Sequence, residues 1–407
     1  MAERYPGGVI SKTPPTVTPP VAGEGGSASG MWTLDTVLEY EKAGAWPKPV
    51  LPRALYAWGN NANGRLGDDT VVDKSSPVQI GSLTNWSQVS GGTRHSSAVK
   101  MDGTLWAWGN NGVGRLGDGT VIARSSPVQI GSLTNWSQVS AGYNSTAAVK
   151  TDSTLWTWGS NGDGQLGQNV STITHRSSPV QVGALTEWAS VFISGNYGES
   201  AAAIKINGTL WAWGRAADGQ LGDGTVVNKS SPVQIGVLTN WYQAVLSPQG
   251  SAAVKTDGTL WTWGKNTKGQ LGHNNLIYRS SPVQVGALTN WSQIAAAYGS
   301  FCSKKTDGTI WAWGNNNKGQ VGDNTVINRS SPVQIGVLTN WSQPTGGVYG
   351  IAALKSDGTL WAWGNGAIGR LGDGEVVNRS SPVQIGALTN WYQVSCGAYQ
   401  TLASTKG

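Results

Sequence analysis

The side chains that most often carry chemistry are sparse in this chain and do not cluster. Its three histidines, His95, His175 and His273, and its two cysteines, Cys302 and Cys396, lie far apart in the sequence. Neither set has the close spacing of a zinc site, so no metal and no cofactor is expected, and both cysteines are expected as buried free thiols. Catalysis needs a nucleophile, a base and a group that orients the base. No such trio stands apart from its surroundings, and no catalytic residue is assigned. Aspartates recur after Leu-Gly, or Val-Gly in one repeat, at Asp68, Asp118, Asp223, Asp323 and Asp373. A single loop aspartate of this kind forms a turn more readily than a calcium site.

Those aspartates mark one point of a repeat. Trp-Gly occurs at Trp58, Trp108, Trp158, Trp213, Trp263, Trp313 and Trp363, every fifty residues except for one step of fifty-five. A second tryptophan series runs through Trp86, Trp136, Trp188, Trp241, Trp291, Trp341 and Trp391. A third lies two residues before Trp-Gly, from Trp106 to Trp361, with Tyr56 in the first repeat. A bulky ring at a fixed register in every unit is expected to pack between neighbouring units. Each unit reads as four short strands; in the second they are expected at 105–108, 127–130, 136–139 and 147–150. Asp-Gly pairs such as Asp102-Gly103 signal tight hairpins, because glycine tolerates positive φ.

Such an array could be an open solenoid or a closed ring. The first repeat begins at Leu55-Tyr56-Ala57-Trp58 without its hairpin partner, and the last stops at Leu402-Ala403-Ser404-Thr405, also without one. Pairing the two would complete one composite blade and remove both exposed edges. The expected fold class is therefore all-β, a seven-bladed β-propeller of four-stranded blades over residues 54–407, closed by its N- and C-terminal strands.

Glycine at 58 and tryptophan at 22 are high, while charged residues make up only 12%. The net charge of +6 is spread over the repeats, with a Lys or Arg before each Ser-Ser-Pro and another lysine ending most Ala-Val-Lys strands. That spacing makes a basic ring and no single stripe along a phosphate backbone, so no nucleic-acid partner is expected. No apolar run of eighteen residues and no signal-peptide core is present, so neither membrane insertion nor Sec export is expected.

Positions where the repeats differ can carry chemistry particular to this protein. The loop after Trp-Gly varies, as does the stretch after Leu-Gly. The third variable stretch precedes the Ala-Val-Lys strand and holds Arg94, His95, Tyr143, Asn144, Asn196, Tyr197, Gln249, Tyr298, Tyr349 and Tyr399. These are the ligand-binding candidates, since Tyr, Asn and Gln join flat apolar surface to hydrogen-bonding groups suited to polar ligands such as glycans. The same residues also suit turns or the lining of a central channel, and the sequence leaves both readings open.

The order Asp-Gly-Thr-Leu-Trp-Ala-Trp-Gly-Asn-Asn, Gly-Arg-Leu-Gly-Asp-Gly, Ser-Ser-Pro-Val-Gln-Ile resembles the regulator of chromosome condensation repeat family. The resemblance covers residues 54–407 and implies a seven-bladed propeller. It does not bring the eukaryotic founder's nucleotide exchange on a small GTPase, since the inserted wedge and basic tail linked to that activity have no counterpart here.

Ahead of the repeats, residues 1–30 form a Pro/Gly-rich arm that cannot build a core. A short amphipathic helix is expected within 31–50, with Leu34 and Leu38 on its apolar face and Trp32 and Trp46 bracketing it as anchoring residues. The wording Ser-Ala-Ser-Gly-Met-Trp-Thr-Leu-Asp and Lys-Ala-Gly-Ala-Trp-Pro resembles the N-terminal arm of structural proteins of tailed bacteriophages. That resemblance implies a non-enzymatic virion protein, assembled in the host cytoplasm and attached to other virion proteins through residues 1–50. It would display the propeller to a host-surface glycan or protein, in several copies per particle. The alternative is an intracellular propeller acting as a protein-interaction hub.

Overall fold

The computed structural model describes residues 53–170, 174–195 and 199–406. The arm, the 31–50 helix with Trp32, Leu34, Leu38 and Trp46, and the candidates Asn196 and Tyr197 lie outside the described residues.

Among the described residues, seven four-stranded antiparallel sheets follow one another as blades. Blade 2 runs from the inside outward as Trp86–Gly91, His95–Lys100, Leu105–Gly109 and Arg124–Gln129. Blades 3 to 7 repeat this plan from inner strands that begin at Trp136, Trp188, Trp241, Trp291 and Trp341. Blade 1 is composite. Its inner strands, Trp391–Cys396 and Gln400–Thr405, come from the C-terminus, and its outer strands, Leu55–Gly59 and Lys74–Gln79, come from the other end of the repeats. Leu55 pairs with Ser404, Ala57 with Leu402 and Gly59 with Gln400, so the ring closes as the two half-hairpins require.

One boundary differs from expectation. The stretch 105–150 is not one sheet, because its first two strands belong to blade 2 and its last two to blade 3. The Asp-Gly hairpin decides this, since it holds its flanking strands in one ladder. Asp102 Oδ1 accepts from Thr104 N–H at 3.0 Å and from its hydroxyl at 2.6 Å, and Thr104 Oγ1 accepts from Trp106 Nε1 at 2.9 Å. Gly103 sits at φ +75°, where a Cβ would run into the Thr134 carbonyl. The crossover between blades is instead the loop after the outer strand.

The tryptophans pack as their register predicts. Trp158 is fully buried, and its Nε1 donates to the Arg115 carbonyl of the preceding blade at 3.0 Å. Trp86 meets Trp106 and Trp108 with ring centroids 6.1 and 6.2 Å apart. Trp108 also shares a cluster with Leu55, Ala57 and Leu402 of blade 1.

Inner strands are joined across seams by glutamines. Gln88 Nε2 donates to the Val139 carbonyl at 3.0 Å, and its Oε1 accepts from Val139 N–H at 2.7 Å. Gln138 and Gln243 repeat the clasp onto Val191 and Ile294. The clasp fails where the sequence removes a partner. Gln293 faces blade 7, whose corresponding residue Pro344 has no N–H, and Gln293 Oε1 is left without a partner.

The basic residues expected to form a ring are largely engaged by neighbouring side chains. Lys150 Nζ lies 3.9 Å from the Trp156 ring centroid and 4.8 Å from Trp136, and Lys205, Lys255, Lys305 and Lys355 sit in the same cage. Arg124 pairs with Asp118 at 2.8 Å, and Lys74, Lys229, Arg329 and Arg379 pair with the equivalent aspartates. Asp118 also accepts from Thr120 N–H and Oγ1, which makes the Leu-Gly aspartates turn and ion-pair residues. Cys302 is buried, whereas Cys396 is only half-buried on the channel wall, and both are free thiols.

Candidate functional site

Antiparallel pairing puts two kinds of loop at the same end of every blade: the short inner turn, such as 92–94, and the long loop after Trp-Gly, such as 110–123. Together they surround one mouth of the central channel. The last residue of each inner turn is held identically, with its carbonyl accepting the N–H of the residue after Trp-Gly. Asn110 N–H bonds to Arg94 O at 2.9 Å and Asn60 N–H to Tyr399 O at 2.9 Å. This backbone bond is therefore common to all blades, while the side chain at its acceptor is Arg94, Asn144, Glu199, Gln249, Gly299, Tyr349 or Tyr399.

Several candidates meet here. Tyr399 lies between two guanidiniums, with Arg370 5.4 Å and Arg65 5.6 Å from its ring centroid. The exposed Arg94 reaches the next blade, donating to Tyr143 Oη at 3.3 Å and stacking 5.3 Å from its ring centroid. Tyr298 and Tyr349 have ring centroids 5.4 Å apart, and Gln249 Nε2 donates to Tyr298 Oη at 3.4 Å. Asn144 donates to Glu199 at 3.0 Å.

His95 is a correction. It is wholly buried, with Nε2 2.7 Å from Thr146 Oγ1. Burial, with Arg115 and Arg65 nearby, holds its imidazole well below the ordinary value and therefore neutral. It is the first residue of a strand, one place beyond the turn, so its side chain enters the seam and not the mouth.

Four further residues belong to the site. Glu199 receives hydrogen bonds from Asn144 and Gln165, and burial, the largest influence, raises its carboxyl to about 7. Arg65, Arg115 and Arg370 lie just before the Leu-Gly of the long loop, where blades 3 to 6 have Gln165, Gln220, Gln270 and Gln320. Burial foremost lowers each of these arginines to about 10. Their signal was present in the sequence. Once the ring is closed, repeat seven adjoins repeat one, and the three arginines fall in adjacent blades. Among the described residues, no group of three or more His, Cys, Asp or Glu is placed to hold a metal, and no helix is long and apolar enough to cross a membrane.

The mouth thus presents different side chains on a repeated frame, with arginine and tyrosine in blades 7, 1 and 2, Glu199 in blade 4, Gln249 in blade 5 and Tyr298 in blade 6. No curated protein matches the sequence. Solved propellers are similar in fold. Human WBSCR16 is 20% identical, with 87% of this chain and 99% of that one covered at a TM-score of 0.78. Prp20p from Saccharomyces cerevisiae, described with its binding properties to Gsp1p and histones, is 19% identical, with 88% and 92% covered at 0.77. The regulator of chromosome condensation (RCC1) repeat matches seven times, at residues 54–99, 102–149, 152–198, 207–254, 257–302, 307–354 and 357–404, and the chain belongs to that repeat family.

Proposed function

We propose that this protein is a non-enzymatic protein-interaction propeller that engages a partner through the channel mouth on its long-loop face. The observation that carries this reading is the contrast at one backbone position. The last residue of the turn before the second strand accepts the same backbone hydrogen bond in all seven blades, yet its side chain runs from Arg94 through Glu199 to Tyr399. Half-buried tyrosines beside the exposed Arg94 are of the residue types that dominate protein interfaces. Prp20p, a propeller of similar fold, binds Gsp1p and histones, which supports a binding role for the fold without naming the partner here. The test is affinity capture with the full chain, with Arg94→Ala/Tyr399→Ala at the mouth and with Tyr242→Ala/Tyr392→Ala on the inner strands. A stoichiometric partner kept by the second variant and lost by the first is the expected result. Equal capture by all three proteins rejects the mouth.

A second reading concerns where the module is carried. The phage-like wording of residues 1–50 favours a tether to a virion, with the propeller turned toward a host-surface glycan or protein. Immunogold labelling of purified particles tests it, and protein found only free in the lysate rejects it.

A further inference from the structure

Arg65 and Arg370 are satisfied by their own surroundings. Arg65 Nε donates to Ala62 O at 3.0 Å and Nη1 to Thr93 O at 3.1 Å, and Arg370 makes the same pair of bonds to Ala367 and Ala398. Both accepting loops begin with a 3-10 turn, Ala62–Gly64 or Ala367–Gly369, that aims the first carbonyl at the guanidinium. Blade 2 makes the equivalent turn, with Gly114 N–H bonded to Asn111 O at 2.8 Å, yet no carbonyl of it accepts from Arg115 Nε. Arg115 is left with Nε and Nη1 unpartnered among the described residues, although it is only 3% exposed.

A buried guanidinium with two idle donors needs an acceptor, because leaving them unmade forfeits their hydration without return. Glu199 attracts Arg115 but accepts no hydrogen bond from its Nε or Nη1, its oxygens taking bonds from Asn144 and Gln165. Arg94 and Arg65 act on Arg115 as neighbouring positive charges. Three guanidiniums thus converge where one half-buried carboxyl stands. We propose that Arg115, flanked by Arg94 and Arg65, is an oxyanion-binding subsite at the seam of blades 2 and 3, taking a carboxylate or phosphate group. The planar fork of arginine suits both oxyanions, and a site with little water strengthens the pairing. The subsite deepens the reading of the mouth as a binding surface, for it gives the partner an acidic side chain or a phosphorylated one.

The experiment follows Arg115 Nε by NMR in the full chain, titrated separately with inorganic phosphate and with a short glutamate peptide up to about 10 mM. A saturable shift is expected with at least one, and the tighter probe identifies the oxyanion. Arg115→Gln puts in the residue that four other blades carry at this place, so the fold is kept, and it should weaken binding at least about tenfold. Arg329→Gln, on the outer strand of blade 6 and away from the mouth, should leave the affinity unchanged. No saturable shift with either probe, or binding that survives Arg115→Gln, overturns the subsite. Anion binding lost in Arg115→Gln sustains it even where no protein partner is captured, whereas a partner captured equally by Arg115→Gln removes the subsite and spares the mouth.

Discussion

Replacing Gln88 by leucine removes a clasp between blades 2 and 3 while keeping most of the side-chain volume. Two hydrogen bonds to Val139 are lost, at 3.0 and 2.7 Å. Each is worth about 1 kcal/mol net, and the two backbone groups left behind add to the loss according to how far channel water reaches them, for a total of about 2–4 kcal/mol. Gln293 provides an internal control. It occupies the same position in blade 6, but Pro344 offers no N–H and the Gln293 Oε1 is already unpartnered. Gln293→Leu should therefore change stability by less than about 1 kcal/mol, or even improve it, since an orphaned acceptor is removed. Urea unfolding of both variants beside the parent, followed by tryptophan fluorescence, reads the difference as a midpoint shift. Equal destabilisation would refute the argument, because it would mean that these glutamines act through packing and not through the seam bonds.

Removing residues 400–406 deletes the strand that pairs with Leu55–Gly59 and exposes two sheet edges, so size-exclusion chromatography should show aggregated or unfolded protein and no folded monomer. Gly117→Ala should destabilise by about 3 kcal/mol or more, because φ is +85° and the new Cβ would lie 2.7 Å from Trp158 Nε1. Gly131→Ala, at φ +65° with open space around it, should lose only about 1 kcal/mol in the same denaturation assay. Glu199 is raised from 4.5 to about 7 on folding, so the folded state holds a proton that the unfolded chain releases sooner. The stability tied to that group is complete below 4.5 and is lost as pH rises through about 7. Melting temperatures measured across this range should fall relative to Glu199→Gln, and a difference that does not vary with pH would contradict the assignment.

The frame of this protein was readable from its residues because each repeat carries its own reasons. Asp102-Gly103-Thr104 specifies a hairpin chemically, and the unmatched ends at Leu55 and Thr405 specify closure. Blade boundaries were harder to read, because a repeat can be cut at any phase, and only the ladder from His95–Lys100 to Leu105–Gly109 shows that the hairpin lies inside a sheet. At the site, Arg94, Tyr143, Gln249, Tyr298, Tyr349 and Tyr399 could be picked out by their variation, but depth could not. A shift of one residue along the chain separates the exposed Arg94 from the buried His95, and nothing in residue type announces that step. Arg65, Arg115 and Arg370 were hidden by their place in a motif that looks uniform. The lysines of the Ala-Val-Lys strands looked like a free positive ring until the cages of Trp136 and Trp156 and their counterparts showed where those charges lie.

Hydrogen–deuterium exchange on the complex of the full chain with its stoichiometric partner tests the placement of the binding face most directly. Protection is predicted in the inner turns around Arg94, Tyr143 and Tyr399 and in the long loops holding Arg65 and Arg115. Protection confined to the opposite end, at the Asp-Gly hairpins around Asp102 and Asp257, would contradict it.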